Sequence, residues 1–483
     1  MSIATQERPA DQAGRTPTVV RLLVLATFVV ILNETIMINA VPRLMESLHV
    51  NEQSAQWVST AFMLTMAAVI PTTGWFLQRF TTRQAYATAM GVFMAGTVLC
   101  AIAPSFTVLL LGRIVQAMGT AVMMPLLMTT LMTVVPENDR GRVMGNMSLA
   151  ISVAPALGPT VSGLILQVGS WRLLFVVVLP IAGVITFFGL RKLKNVSEPT
   201  ISSIDWPSVV IAALGFGGLV YGLSLFGEGT GRFGTAIGFA VAGVLIVTGF
   251  VFRQLSLQRS GSPLMDLRTL KQRTFTVALI MLSIGFLSMI GSMIMLPLYL
   301  QNLRGLSPLE TGLLVMPGGL AMGLLGPTVG KLFDRFGSRV LVIPGSVGIV
   351  LALTGFATLV SATMPYWQVL GLHTLLMLSL AAMFTPTFTL GLGALPPELY
   401  SYGSSILGTL NQVAAAFGTA LVVTVMSAHT GSLIAEGVAA KEAALSGMQL
   451  AFVVATIIAL FNVVLSTMLP KRSATHGAPV AAH

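Results

Sequence analysis

Charge is scarce in this sequence. Only 9% of its 483 residues are Asp, Glu, Lys or Arg, against about 25% in a typical soluble domain, whereas 55% are hydrophobic. A single cysteine, Cys100, excludes an internal disulfide and a metal cluster built on cysteines. These scarcities indicate a polytopic membrane protein that needs neither a disulfide framework nor a bound metal.

Several function classes lack their motifs. There is no Gly-x-x-x-x-Gly-Lys-Ser/Thr loop for ATP, which disfavours an ATP-driven pump. Five scattered histidines supply no converging ligands or nucleophiles for a membrane enzyme, and no apolar run carries the charged ring or filter loop of a channel. The first 18 residues lack the features of a secretory signal, so we predict a cytoplasmic tail there.

Long apolar runs divide the rest of the chain. Each is near the length of about 20 residues that crosses a bilayer, and their length and lack of alternation exclude strands. We therefore predict an all-α protein with fourteen spans, near residues 19–42, 55–77, 85–103, 107–135, 143–168, 171–190, 207–227, 233–252, 274–301, 309–330, 340–360, 366–392, 403–428 and 448–469.

The positive charges predict the orientation of these spans. Lys and Arg are divided 20 to 5 between the two sets of connections, with Arg113 inside a span. Because basic residues stay on the cytoplasmic side, both termini are predicted to be cytoplasmic. The net charge of +10 is thus explained by topology, and no nucleic-acid partner is expected.

An internal repeat relates the two ends of the chain. An offset of 256 residues places 71–83, PTTGWFLQRFTTR, on 327–339, PTVGKLFDRFGSR, with identity at six of thirteen positions. The same offset places span 2 on span 10 and span 4 on span 12. Two halves with parallel repeats are typical of transporters that rock about a site at the membrane midplane.

Four motifs in order resemble the major facilitator superfamily, and within it the fourteen-span drug:proton antiporters. Residues 330–339 are similar to the loop motif Gly-x-Leu-x-Asp-Arg-x-Gly-x-Arg, and its first copy has Gln78 at the acidic position. Span 4 has the Arg-x-x-Gln-x-x-Gly pattern, from Arg113 to Gly119, and residues 154–163, APALGPTVSG, resemble the antiporter motif. Residues 32–35, LNET, resemble the subgroup that includes lincomycin exporters.

This resemblance implies an architecture and a function. It implies six-helix bundles at 19–190 and 274–470, a linker at 191–273 with two inserted helices, and a second cytoplasmic tail at 471–483. It implies a monomeric exporter of lipophilic or amphipathic molecules in a bacterial plasma membrane. The proton gradient would supply the energy, without a cofactor. A transporter of lipids or metabolites with another direction or coupling is the alternative.

Glu34 is the first candidate for chemistry. It is the only acidic residue well within a predicted span, and charges in such runs usually face a bundle interior or a watery path. Arg113 is the candidate counter-charge, since the resemblance implies that spans 1 and 4 line one cavity. We predict that Glu34 carries the proton and that Arg113 tunes it. The alternatives are a neutral packing carboxyl and a cation that anchors its span.

The substrate site is expected to be pliable and apolar. The sequence holds 27 Met and 25 Phe, and Met fills irregular shapes well. The candidate polar contacts within spans are Asn33, Asn39, Gln116, His373, Asn411 and Gln412. His373 has two further interpretations, a second proton carrier and a hydrogen-bonded packing residue.

A third group of residues is predicted to control the conformational change. Small residues and prolines in spans 5 and 10 would form a flexing seam, and a charge network at the second loop would have to break when the halves part. Because Gln78 replaces the acid, the first loop was expected to lack that latch. The residues are Gly74, Arg79, Arg83, Pro155, Gly158, Pro159, Gly163, Gly330, Asp334, Arg335, Gly337 and Arg339.

Overall fold

The computed structural model describes residues 17–37, 40–50, 52–196, 199, 203–227, 233–260 and 263–471. Most of both predicted tails and Asn39 lie outside these ranges. Within them the chain is helical and has no strand. The helices are α1 (Thr18–Ile36), α2 (Val41–Leu48), α3 (Glu52–Val69), α4 (Thr73–Arg79), α5 (Thr82–Ala101), α6 (Phe106–Val134), α7 (Arg140–Val168), α8 (Arg172–Lys192), α9 (Trp206–Gly227), α10 (Phe233–Ser260), α11 (Arg273–Pro297), α12 (Pro308–Phe336), α13 (Arg339–Leu359), α14 (Tyr366–Gly393), α15 (Tyr400–Ala435) and α16 (Ala440–Met468).

The all-α membrane architecture is confirmed. In the described part of the chain, 13 helical segments have the length and hydropathy to cross a membrane, α3 and α4 together forming one of them. The 29-residue α7 packs between α1 and α12 and completes a set of fourteen. Two bundles of six spans result, α1 to α8 and α11 to α16, with α9 and α10 as the extra pair.

The first span is shorter than the sequence predicted. Instead of continuing to residue 42, α1 ends at Ile36, and Pro42 lies in the first turn of the separate helix α2. Proline has no N–H to donate and is tolerated at a helix start but not in its interior. Glu34 is therefore near the end of α1 rather than in the middle of a long helix.

The two halves meet along two seams. In one seam α7 of the first half packs against α12 of the second, and in the other α3 and α4 pack against α15. We call the side of the bundle that carries residues 17 and 471 the terminal face. α12 ends there, since the Ser338 N–H donates to the Lys471 carbonyl at 3.0 Å.

The inserted pair covers only one of these seams. α9 packs against both α3 and α15, where Ala67, Val220 and Ala416 share a small apolar cluster. The Trp57 and Tyr221 rings, 5.7 Å apart, extend this contact. The extra helices therefore close the gap between the halves along the α3–α15 seam, whereas α7 and α12 have no such cover among the described helices.

Candidate functional site: an opening between the two halves

Backbone-to-backbone contact closes the α7–α12 seam near the terminal face. A methyl group on Gly145 would come within 2.9 Å of the Gly326 carbonyl carbon, and one on Gly330 within 2.8 Å of the Gly141 carbonyl carbon. Only residues without a side chain permit such an approach. The predicted seam therefore exists, and its closest part lies at this end of both helices.

Two hydroxyl pairs also join the halves near this face. Thr129 of α6 and Ser404 of α15 have their oxygens 2.8 Å apart, and Ser148 of α7 and Thr385 of α14 have theirs 3.2 Å apart. Thr385 is 256 positions after Thr129, and Ser404 is 256 positions after Ser148. The internal repeat therefore builds the same contact twice, once on each side of the interface.

The loop acid does not form the predicted charge network. Asp334 accepts the backbone N–H groups of Gly141 and Arg142, at 2.9 and 2.7 Å, and forms no ion pair with Arg335 or Arg339 in the described chain. A carboxylate suits this position because helix N-terminal N–H groups lack partners within the helix. Asp334 of the second half therefore caps the N-terminus of α7 in the first half, and we call this contact a latch.

The first loop lacks this acid cap but has a different contact across the interface, which we also call a latch. The Gln78 amide donates to the Glu398 carbonyl at 2.7 Å, so it also reaches across the interface. Gln78 and Glu398 correspond to Asp334 and Arg142 under the same offset. The acceptor carboxylate of Asp334 is replaced by a donor amide at Gln78. The group bound in the opposite half changes from backbone N–H to backbone C=O.

The other predicted gating residues lie at helix ends, except Gly74, which lies at the interface between the halves. Gly337 ends α12 with a φ of 82°, a left-handed backbone that favours glycine. The Arg339 guanidinium donates to the Leu469 carbonyl at 3.3 Å, and that of Arg335 lies over the Phe336 ring. Arg79 ends α4, the exposed Arg83 starts α5, and Gly74 packs against Tyr402 of α15.

The α7–α12 seam opens away from the terminal face. A methyl group on Gly163 or on Gly312 would meet no described atom within 4 Å. Leu164 and Leu313 beside them are 60% and 55% exposed. The seam is thus closed at one end and open at the other, the geometry of a transporter accessible from one side of the membrane.

The sequence predicts Gly158 and Gly163 to be part of the seam. In the structure they do not belong to its closed part. A methyl group on Gly158 would overlap Thr35 of α1, so this glycine brings α7 onto the helix that carries Glu34. Pro155 is half-buried within the same helix, and the side chain of Pro159 lies outside the described set. This part of α7 therefore packs on α1 through Gly158.

Glu34 lies on the inner stripe of α1. Val20, Leu23, Thr27 and Val30, spaced three or four residues apart on the same face, are at most 1% exposed, whereas Glu34 is half-buried. The exposed stripe of α1, which includes Leu25, points elsewhere. Glu34 therefore faces the protein interior and not the lipid.

Arg113 is fixed in a buried polar chain within the first half. It is 1% exposed, donates to Gln116 Oε1 at 2.7 Å, and stacks 4.1 Å from the centre of the Phe62 ring. The Gln116 amide in turn donates to Thr97 Oγ1 at 2.7 Å. Arg113 Nε also donates to the Val58 carbonyl at 3.4 Å, so two hydrogen bonds and a ring face satisfy this buried cation in part.

Glu34 and Arg113 interact through space. They lie within Coulombic range, but they form no ion pair in the described chain. Glu34 has no hydrogen-bond partner among the described residues. Its carboxyl group is therefore free to take up a proton or to face a ligand, with a fixed positive charge nearby.

The proposed polar contacts of the substrate are dispersed. Gln116 is fully buried and bound to Arg113, and Asn33 is fully buried with both polar atoms unpartnered among described residues, so neither faces the opening. His373 of α14 packs against Gly318 of α12, and its buried Nδ1 has no hydrogen-bond partner among the described residues. Asn411 and Gln412 are half-buried on α15.

Sequence reasoning missed several residues. Phe62 and Thr97 hold Arg113 and its partner, but nothing in their local pattern distinguishes them from other span residues. Thr129, Ser148, Thr385 and Ser404 could have been found, because the 256-residue offset already pairs Thr with Thr and Ser with Ser.

The sequence pattern of the Major Facilitator Superfamily matches residues 23–419. The chain belongs to this superfamily. Major facilitator proteins similar to it include the MFS-type transporter YcnB of Bacillus subtilis, 38% identical over 98% of both chains. The lincomycin resistance protein LmrB of Listeria monocytogenes is also 38% identical, over 96% of this chain and 99% of that protein.

The major facilitator fold is also seen in solved structures. The human organic anion transporter MFSD10 superposes with a TM-score of 0.65 at 16% identity, covering 93% of this chain and all of that one. At this identity the likeness concerns the fold. As a major facilitator transporter, the chain is a multi-pass membrane protein with its candidate site between two halves.

Proposed function

We propose that this protein exports lipophilic or amphipathic small molecules from a bacterial cell in exchange for protons. The observation that carries the proposal is the position of Glu34, half-buried on the inner stripe of α1 beside a fixed arginine and without a partner in the described chain. The similarity to a lincomycin resistance protein supports a drug-like substrate. The protein would act as a monomer, with the proton gradient in place of a cofactor.

In this proposal the terminal face is cytoplasmic, and the open side faces outward. Glu34 would then be loaded with a proton from outside. When the halves rock and the opening passes to the cytoplasmic side, the proton leaves and the substrate enters. A proton and a cationic substrate neutralise the same carboxylate, so binding of one opposes binding of the other. Arg113 would place a fixed positive charge near the carboxylate throughout the cycle.

The free energy released by one proton limits how far a substrate can be accumulated. One charge moving through about 100 mV provides about 2.3 kcal/mol, and about 1.4 kcal/mol is tenfold in concentration. One proton thus supports roughly fortyfold accumulation of a neutral substrate at about 100 mV. Each unit of pH gradient multiplies this ratio by a further factor of about ten. Exchange of one proton for a monocation would be electroneutral and respond to the pH gradient alone. With one carboxylate at the site, we expect one proton per cycle.

The test uses inside-out vesicles in which pH and voltage gradients are imposed separately. Glu34→Gln is expected to fold and to bind neutral substrates but to lose accumulation driven by the pH gradient, whereas Glu34→Asp should retain part of it. Full pH-driven transport by Glu34→Gln would reject the assignment of the proton carrier. Inward transport, or transport of lipids alone, would favour the alternative function.

A further inference from the structure

Three phenylalanine rings form a cluster in the second half. Phe286 of α11 stacks on Phe384 of α14 with ring centres 4.9 Å apart and 22° between planes. Phe388, one turn along α14, lies edge-on to both, at 6.4 and 6.2 Å. Phe384 is 6% exposed, while Phe286 and Phe388 are half-buried, so the cluster has a free surface.

That surface does not face lipid. The outward stripe of α14 includes Gly371 and Leu375, which are exposed, and the half-buried Leu378 and Ala382. Phe388 lies about 120° around the helix from this stripe. Thr385, beside Phe384, bonds to Ser148 of the first half. The rings therefore lie beside the interface between the halves, next to the Ser148–Thr385 contact.

The cluster and the carboxylate have no counterparts in the opposite halves. Under the 256-residue offset, Phe286, Phe384 and Phe388 correspond to Val30, Met128 and Met132, and Glu34 corresponds to Ile290. An otherwise repeated architecture thus places aromatic rings on one wall and a negative charge on the other. Ring faces attract cations and stack on flat aromatic groups, and a carboxylate adds charge complementarity.

We propose that Phe286, Phe384 and Phe388 form the substrate platform of the second half, and that it selects planar aromatic cations. The inference rests on the proposed function, whose substrate class it narrows. The flat ring system lies on the phenylalanines, and the positive charge points toward Glu34. Aliphatic cations use the carboxylate but gain little from the rings.

The test compares two cations bound to the protein in nanodiscs: ethidium, which is planar and aromatic, and tetrabutylammonium, which is not. Phe388→Leu and Phe286→Leu should weaken ethidium binding about threefold to thirtyfold, the range for a cation–ring contact, and change tetrabutylammonium binding less than twofold. Phe388→Trp, which keeps a ring face, should retain ethidium affinity and guards against effects of folding.

A matched control is available in the same half. Phe356 and Phe452 stack at 5.0 Å and 17° between α13 and α16, and both are at most 1% exposed. Phe452→Leu removes an equivalent ring pair far from the opening and should leave the ethidium to tetrabutylammonium ratio unchanged. Equal losses for both cations, or none, in the Phe388 and Phe286 variants would overturn the platform. Failure of the proposed function would appear separately, as pH-driven transport that does not need Glu34.

Discussion

The Thr129 and Ser404 hydroxyl oxygens lie 2.8 Å apart across the interface, and the repeat copies this contact in Thr385 and Ser148. A sequence duplication thus yields a two-fold symmetric closure of the terminal face. Symmetric contacts of this kind must break together when the halves rock, because each half moves as one packed body. Cross-linking these contacts tests whether the terminal face opens and closes during transport.

Cysteine pairs at these positions should cross-link. We expect Thr129→Cys with Ser404→Cys, and Ser148→Cys with Thr385→Cys, to form disulfides under mild oxidation, since the oxygens they replace are in contact. Each cross-link should stop transport, and reductant should restore it. Gly163→Cys with Gly312→Cys, at the open end, is the control. Cross-linking of that pair in the resting protein would contradict the open geometry.

Adding a negative charge at Gln78 and removing one at Asp334 should both loosen the closed interface. Gln78→Glu restores the acid of the family motif, but a carboxylate cannot donate to the Glu398 carbonyl and would repel it. We expect this variant to weaken closure by about 1 kcal/mol, or about fivefold in the ratio of closed to open states. Alkylation of a Thr129→Cys reporter from the terminal face should then be faster, since the native Cys100 is buried.

Asp334→Asn provides the comparison for that experiment. Asn keeps one acceptor oxygen where the carboxylate binds two N–H groups, so we expect the same loosening. If Gln78→Glu instead slowed alkylation and Asp334→Asn had no effect, the latches would not act through the hydrogen bonds described.

Gly158 should be sensitive and Gly163 tolerant, although both belong to one motif-like segment. An alanine at 158 overlaps Thr35, next to Glu34, and such overpacking costs about 1–3 kcal/mol. We expect Gly158→Ala to reduce pH-driven transport and thermal stability, and Thr35→Ala to rescue it in part. Gly163→Ala, which meets open space, should behave like wild type. Equal effects at both positions would reject the contact with α1 as the cause.

The sequence predicted the architecture well because span length and charge distribution follow from the bilayer alone. It made Glu34 a candidate for the same reason, since an acid in an apolar run is costly. It could not predict that Gly158 packs on α1, that Asn33 is buried or that Gln78 reverses a hydrogen bond. These facts depend on the rotation and depth of helices, which small residues leave open until the neighbouring helix is in place.

His373 should be a packing residue rather than a second proton carrier. It is 5% exposed and packs against Gly318 of α12. His373→Gln and His373→Leu fill a similar space without a titrating group, so both variants should leave the pH profile of transport unchanged. A displaced pH profile in the Gln variant would give His373 a role in coupling.

A carboxylate joins α9 and α10 at the terminal face. Asp205 accepts two hydrogen bonds from Arg253, both 2.7 Å, and these lower the pKa of Asp205 to about 2, with further help from Ser208. Because the folded pKa lies below the usual value of about 3.9, the stabilisation is complete above that value and is lost as pH falls through about 2.

Between pH 5 and 8 the Asp205 pair should therefore be constant, and pH effects on transport in that range must come from elsewhere. Asp205→Asn removes the pair at every pH and should lower the melting temperature by a few degrees. Glu46→Gln is the control, because its ion pair with Arg43 is long, at 3.8 Å, and exposed, and such pairs contribute little. A melting temperature of wild-type protein that changes between pH 5 and 8 and becomes constant in Asp205→Asn would contradict this assignment.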